Sequence, residues 1–148
     1  MFDKILVAID LELAPARTVI RRARALSSGE LWVAHAVEPQ YVQYSIDPTF
    51  TGSLTRAMEE DALASARNRV AEICEPFPVD AAHQLVVLGR VAEQIHYLAV
   101  EKDVDAIVIG SHAARGIRRL LGSTANAVLH GAPVNVMTVC LREEGDPE

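Results

Sequence analysis

At 148 residues, half of them apolar, the chain has the length of one domain and can bury roughly 70% of its unfolded surface, which excludes global disorder. Its formal net charge of −6 argues against a nucleic-acid partner and against an anionic membrane surface, since either needs a basic face. Cys74 and Cys140 stand alone, without the paired spacing of a zinc knot or a disulfide framework, so free buried thiols are expected.

Met1-Phe2-Asp3-Lys4 carries an acid at position three and runs straight into a strand, which fits no signal peptide. No run approaches about 18 apolar residues, so a soluble, cytoplasmic protein is expected. Ile5 to Ile9 reads as a first buried strand, ending in Asp10 as a rim carboxylate or as a cap on the next helix. Pro15 sits where a first helical turn tolerates it. Val19, Ile20, Ala23 and Leu26 share one face, with Arg17, Arg21 and Arg24 outside. Ser27-Ser28-Gly29 is expected to stop that helix.

Leu31 to Val37 is a second strand, closed by Glu38-Pro39. Residues 40–53 show no sustained period, and a connection of that length is usually functional or mobile. Leu54, Met58, Leu63, Ala66, Val70 and Ile73 mark a long amphipathic helix that ends at Glu75-Pro76. Leu85 to Leu88 is a third strand, stopping at Gly89, and Ala92, Ile95, Leu98 and Ala99 line the inner face of the following helix. Within 103–109 a run of five or six apolar, mostly β-branched residues is a fourth strand, expected to end at Gly110. Ala125, Val128 and Leu129 face inward from a helix that stops at His130-Gly131. Val134 to Cys140 is a fifth strand, apolar on both faces and expected at a sheet edge, where a two-fold partner or the charged 142–148 tail would cover it. No internal repeat or linker divides the chain.

This strict β-α alternation predicts an α/β fold: one single-domain, five-stranded parallel sheet with helices on both faces. Ligands of such sheets bind beyond the carboxyl ends of the strands, where strand order reverses. The alternation leaves the strand order open. If the first and fourth strands are neighbours, Asp10 meets Gly110 and Ser111 at that point.

The stretch 103–125 runs strand, glycine, cationic loop, helix start, which is the shape of a phosphate site. Gly122-Ser123-Thr124 opens a helix whose free N–H groups and hydroxyls suit an anion, or else forms a plain N-cap. Arg115, Arg118 and Arg119 either add charge-assisted contacts to a phosphate tail or form the solvated face of the loop. The five histidines show no metal-ligand spacing. Ser111 and His112 are adjacent on an extended segment, so their side chains diverge and make a poor nucleophile–base pair. No Walker-type glycine-lysine motif is present, and no base stands ready to orient water. An enzyme is not expected.

Several blocks together resemble the universal stress protein family, over nearly the whole chain apart from the 40–53 loop and the tail. They are Lys4 to Asp10, His35-Ala36-Val37, Gly89 to Ile95, Asp105 to His112, and Leu121 to Leu129. The resemblance implies a Rossmann-like, adenine nucleotide alpha hydrolase-like fold, with the first and fourth strands flanking the switch point. It also implies homodimers joined through the last strand, here Val134 to Cys140. Many members bind ATP, with or without Mg, through a G-x2-G-x9-G-[S/T] pattern. Gly110 matches the first glycine and Gly122-Ser123 the last pair. Ala113 occupies the second glycine position, and the interval to Gly122 is one residue short.

By similarity, Asp10 would meet the ribose or adenine, Ala36 and Val37 would line the adenine pocket, and Gly110 would pass under the ribose next to Ser111. Ala113, Gly122, Ser123 and Thr124 would face the phosphates; Arg115, in the same loop, is added by the reading of the residues and not by the resemblance. Two functions follow. One is a cytoplasmic stress-response regulator that binds an adenine nucleotide. The other is a dimeric scaffold with an empty cleft, acting through protein contacts, because a Cβ at Ala113 narrows backbone approach to a phosphate. A slow ATPase or an autophosphorylating protein using Ser123 or Thr124 is a weaker third.

Overall fold

Every side chain from Ile5 to Ile9 is buried, as the central strand of a sheet covered on both faces requires. That strand, β1 (Phe2–Ala8), belongs to a computed structural model that describes residues 1–39, 52–112 and 121–141. After β1 come α1 (Leu13–Leu26), β2 (Ser27–Val37), α2 (Gly52–Cys74), a 3-10 turn (Ala81–His83) and β3 (Gln84–Leu88). They are followed by α3 (Val91–Glu101), β4 (Ala106–His112), α4 (Ser123–Leu129) and β5 (Asn135–Leu141). The strands form one sheet in the order β3-β2-β1-β4-β5, with every pair parallel. The first and fourth strands are therefore neighbours, and the winding reverses between them.

Strand alternation divides the core in two. Ile5, Val7, Leu31, Val33 and Val108 pack with Val19 and Ile20 of α1 and with Val70 and Ile73 of α2. Leu6, Ala8, Ala34, Ile107 and Ile109 face the other way, against Ile95 and Leu98 of α3 and Ala125 and Val128 of α4. Because side chains alternate with period two, one apolar run feeds both layers. At the amino edge, Asp105 Oδ2 accepts the N–H groups of Asp3 and Lys4, each at 2.9 Å. The Asp105 N–H donates to Lys4 O at 2.8 Å, so one residue docks the start of β1 onto β4.

Leu129, expected to face inward, is exposed, and four further expectations are corrected. Ser27 does stop α1, which ends at Leu26, but not through a glycine turn: Ser27 is already extended and begins β2. Gly29 serves close approach, since a Cβ there would stand 2.0 Å from Asp3 O. β4 does not end at Gly110 but continues to His112, because the edge strand β5 supplies partners, with Gly110 opposite Val139 and His112 opposite Leu141. Arg17 is not simply outside: its Nε and Nη2 donate to Ile73 O and Glu72 O of α2, at 3.2 and 2.9 Å. Cys140 is an exposed thiol, whereas Cys74 is buried and free. Residues 52 and 53 of the long connection belong to α2. Residues 40–51 and the 142–148 tail lie outside the described residues.

Candidate functional site

β1 and β4 stay in register to the Ala8–Ile109 pair. Beyond it, β1 feeds α1 on one face, while α4 packs on the other. The divergence opens a cleft of about 250 Å³ at the carboxyl edge. Its floor is made of small residues, Ala8, Ala34 and Ala36, flanked by Ile95 and Ile109. Short side chains near the ends of two strands, β1 and β2, leave an apolar slot between two helical layers, suited to an aromatic ring.

Two carboxylates, Asp10 and Glu12, stand on the α1 side of the cleft. Asp10 does not cap α1: the N-cap is Glu12, whose side chain makes no capping bond. Among the described residues neither carboxylate has an ion-pair or hydrogen-bond partner. Both are exposed acceptors, free for a donor in the cleft. His35 also lines the cleft, and its Nδ1 lies 2.7 Å from Ile9 O. A carbonyl only accepts, so Nδ1 carries the proton in this bond.

The opposite wall comes from the end of β4 and the start of α4. Gly110 lines the cleft with no side chain of its own, and a Cβ there would stand 2.7 Å from Leu141 Cδ1 and 2.9 Å from Val19 Cγ2. Ser111 is buried, and its Oγ accepts the Gly122 N–H at 2.8 Å. That amide is engaged within the protein and does not face a phosphate. Ser123, Thr124 and Ala125 form the first turn of α4, ahead of the Asn126 N–H that donates to Gly122 O. Their N–H groups have no acceptor within the helix, and the exposed Ser123 and Thr124 line the cleft.

Of the residues singled out in the sequence, Asp10, Ala36, Gly110, Ser111, Gly122, Ser123 and Thr124 meet at this one cleft. Val37 is not among its lining residues: it pairs with Leu88, and its carbonyl accepts the Gly89 N–H at 2.9 Å. Ala113, Arg115, Arg118 and Arg119 lie outside the described residues. Glu12 and His35 were not anticipated. Their only signal was proximity, one two residues beyond Asp10 and the other directly before Ala36. Among the described residues no group of three His, Cys, Asp or Glu is placed to hold a metal ion. His35, His83 and His96 each direct a ring nitrogen at a backbone carbonyl, at 2.7, 3.2 and 2.6 Å.

With this geometry in place, comparison with known proteins decides the family. A sequence model of the universal stress protein family matches residues 1–139. The chain belongs to that family. Universal stress protein A homolog 2 of Coxiella burnetii is 35% identical over 144 residues, covering 95% of this chain and 97% of the relative. Among solved structures, the hypothetical protein MJ0577 superposes with a TM-score of 0.75 at 21% identity, covering 97% of this chain and 99% of that one. A universal stress protein in complex with cAMP superposes with a TM-score of 0.55 at 22% identity, covering 93% of this chain and 96% of that one. These structural likenesses establish the shared Rossmann-like α/β fold. No helix among the described residues is long and apolar enough to cross a membrane.

Proposed function

We propose that this universal stress protein is a cytoplasmic stress-response regulator that binds an adenine nucleotide, ATP, at the β1/β4 switch point. The observation that carries the reading is the cleft's polarity. An apolar slot floored by alanines lies between two carboxylates on one side and helix-start N–H groups on the other, none of them with a partner among the described residues. Its volume of about 250 Å³ falls just below the roughly 300–1,000 Å³ of typical ligand pockets. That size suits a nucleoside, with the phosphates at the mouth.

Electrostatics orients the ligand. Asp10 and Glu12 repel phosphate and accept ribose or amino protons, so the nucleoside sits on the α1 side. The phosphates then lie toward Ser123 and Thr124, whose N–H groups are donors. A magnesium ion would be held chiefly by phosphate oxygens and water, with at most one or two protein carboxylates, as this cation commonly is. The cAMP complex of a family member supports a nucleotide as the ligand class. We read the chain as a sensor, not a catalyst. Calorimetric titration of Mg-ATP into nucleotide-stripped protein is expected to give saturable heat, and none at millimolar ligand removes the nucleotide from the account.

The engaged Gly122 N–H favours a second reading, a scaffold with an empty cleft, because one donor expected at the phosphates is already satisfied by Ser111. Freshly purified protein distinguishes the two by its 260/280 nm absorbance ratio, since co-purified nucleotide rules out the scaffold. In either reading we propose a homodimer through β5. This edge strand pairs only with β4 among the described strands and exposes Met137 and Cys140.

A further inference from the structure

We infer that Arg69 and His35 are positioning residues that hold Asp10 at the rim of the cleft. The inference rests on the nucleotide reading of that cleft and adds how the carboxylate is aimed. Asp10 makes no side-chain bond of its own among the described residues, so only its backbone sets its direction. That backbone lies beyond the β1–β2 ladder, whose last pair is Ala8 with Ala34. A loop leaving a ladder is ordinarily free to move.

Here the peptide before Asp10 and the peptide one residue beyond it, Leu11–Glu12, are fixed from outside the loop. The Ile9 N–H donates to Ala34 O at 2.9 Å, and Ile9 O accepts His35 Nδ1–H at 2.7 Å. On the other side, Leu11 O accepts Arg69 Nε–H at 2.9 Å, from a residue 58 positions away on α2. Glu12 O accepts the Ala16 N–H at 3.1 Å and starts α1. The carbonyls of residues 9, 11 and 12 are thus all engaged, two of them by side chains of different elements.

The clamp is itself braced. Arg69 Nη1 meets Glu72 Oε2 at 2.9 Å, orienting the guanidinium on α2. Arg17 of α1 reaches back to the carbonyls of Glu72 and Ile73. The same turn of α2 therefore grips both the rim loop and the helix that follows it. The backbone that carries the Asp10 carboxylate is thus ordered before the ligand arrives, so binding has only the side-chain torsions left to order.

The test is a double-mutant cycle read by calorimetry with Mg-ATP, on variants whose circular dichroism and thermal midpoint show them folded. Arg69→Met keeps the apolar stem and loses the donor. It is expected to weaken ATP binding about tenfold, the cost of ordering roughly one backbone residue on binding. In the Asp10→Asn background the same change is expected to cost less than about twofold, because the carboxylate it positions is gone. His35→Leu should behave like Arg69→Met, and His35→Gln, which retains a side-chain donor, should restore affinity. Equal losses in both backgrounds, or no loss in either, overturn the inference. A ligand-free readout separates it from the nucleotide reading. Arg69→Met is expected to lower the 15N order parameters of residues 10–12 from about 0.85 to below about 0.6, with β1 unchanged. Unchanged order parameters overturn the clamp whether or not ATP binds, whereas failure of the wild type to bind ATP strikes only the nucleotide reading.

Discussion

Ser111 Oγ accepts the Gly122 N–H across 2.8 Å, joining the end of β4 to the residue before α4. The acceptor is buried at 7% exposure, and its hydroxyl proton remains available for a second bond. This bond holds the Ser123–Thr124 turn against the strand that forms the cleft's wall. Ser111→Ala leaves the Gly122 N–H without its partner and is expected to cost about 1 kcal/mol of stability. Urea denaturation checks this through a lower midpoint at unchanged slope. If the turn faces phosphate, the variant also loses more affinity for ATP than for adenosine.

A second prediction concerns the start of the sheet. A Cβ at Gly29 would overlap Asp3 O, a backbone atom with little room to yield. Gly29→Ala is therefore expected to destabilise by roughly 1–3 kcal/mol, the usual range for overpacking. A denaturation midpoint equal to the wild type's would show that β1 and β2 do not approach so closely. Ser28→Ala, at an exposed neighbouring position, serves as the control and should change little.

How much of this was legible in the sequence depended on the range of the interaction. The apolar runs of β1 and β4 and the helix after Gly122 were readable, because burial on both faces and a helix start are local patterns. The adjacency of β1 and β4 was conditional on strand order, which alternation alone does not determine. β4 outran its glycine because β5 lies beside it, a fact about a distant segment. Ser27-Ser28-Gly29 did end α1, but its turn-like composition hid that the same residues begin a strand passing very close to its neighbour. Glu12 and His35 went unseen as cleft residues for a similar reason. His35 acts on Ile9 and Arg69 acts on Leu11, pairs 26 and 58 residues apart that no periodicity reports.

The two cysteines should differ sharply in reactivity. Burial pushes the Cys74 thiol from 9.0 up to about 11, whereas Cys140 is exposed on the edge strand. At pH 8 a thiol of that pKa is about one part in a thousand thiolate. A disulfide reagent should therefore label Cys140 promptly and Cys74 only on unfolding, with mass spectrometry reading the sites. Fast labelling of both would contradict the burial of Cys74.

The same shift carries a pH dependence. The folded protein holds the Cys74 proton more tightly than the unfolded chain, so its contribution to stability is complete below about pH 9. It is lost progressively as the pH rises from about 9 to about 11. Denaturation midpoints over that interval should fall more steeply for the wild type than for Cys74→Ala, whatever the variant's baseline stability. Parallel slopes would assign the alkaline loss to other groups.

For the edge strand, sedimentation velocity at micromolar concentration should find a particle of twice the 16.1 kDa chain mass. A monomer under those conditions would mean that β5 is covered in some other way.

The most direct measurement is an amide shift map of the 15N-labelled, nucleotide-stripped protein titrated with Mg-ATP. The predicted result is saturable movement of the Ala36, Gly110, Ser123 and Thr124 amides, which line one cleft, with α2 residues beyond Arg69 left in place. Shifts confined to other surfaces, or none at millimolar ATP, would contradict a nucleotide site between β1 and β4.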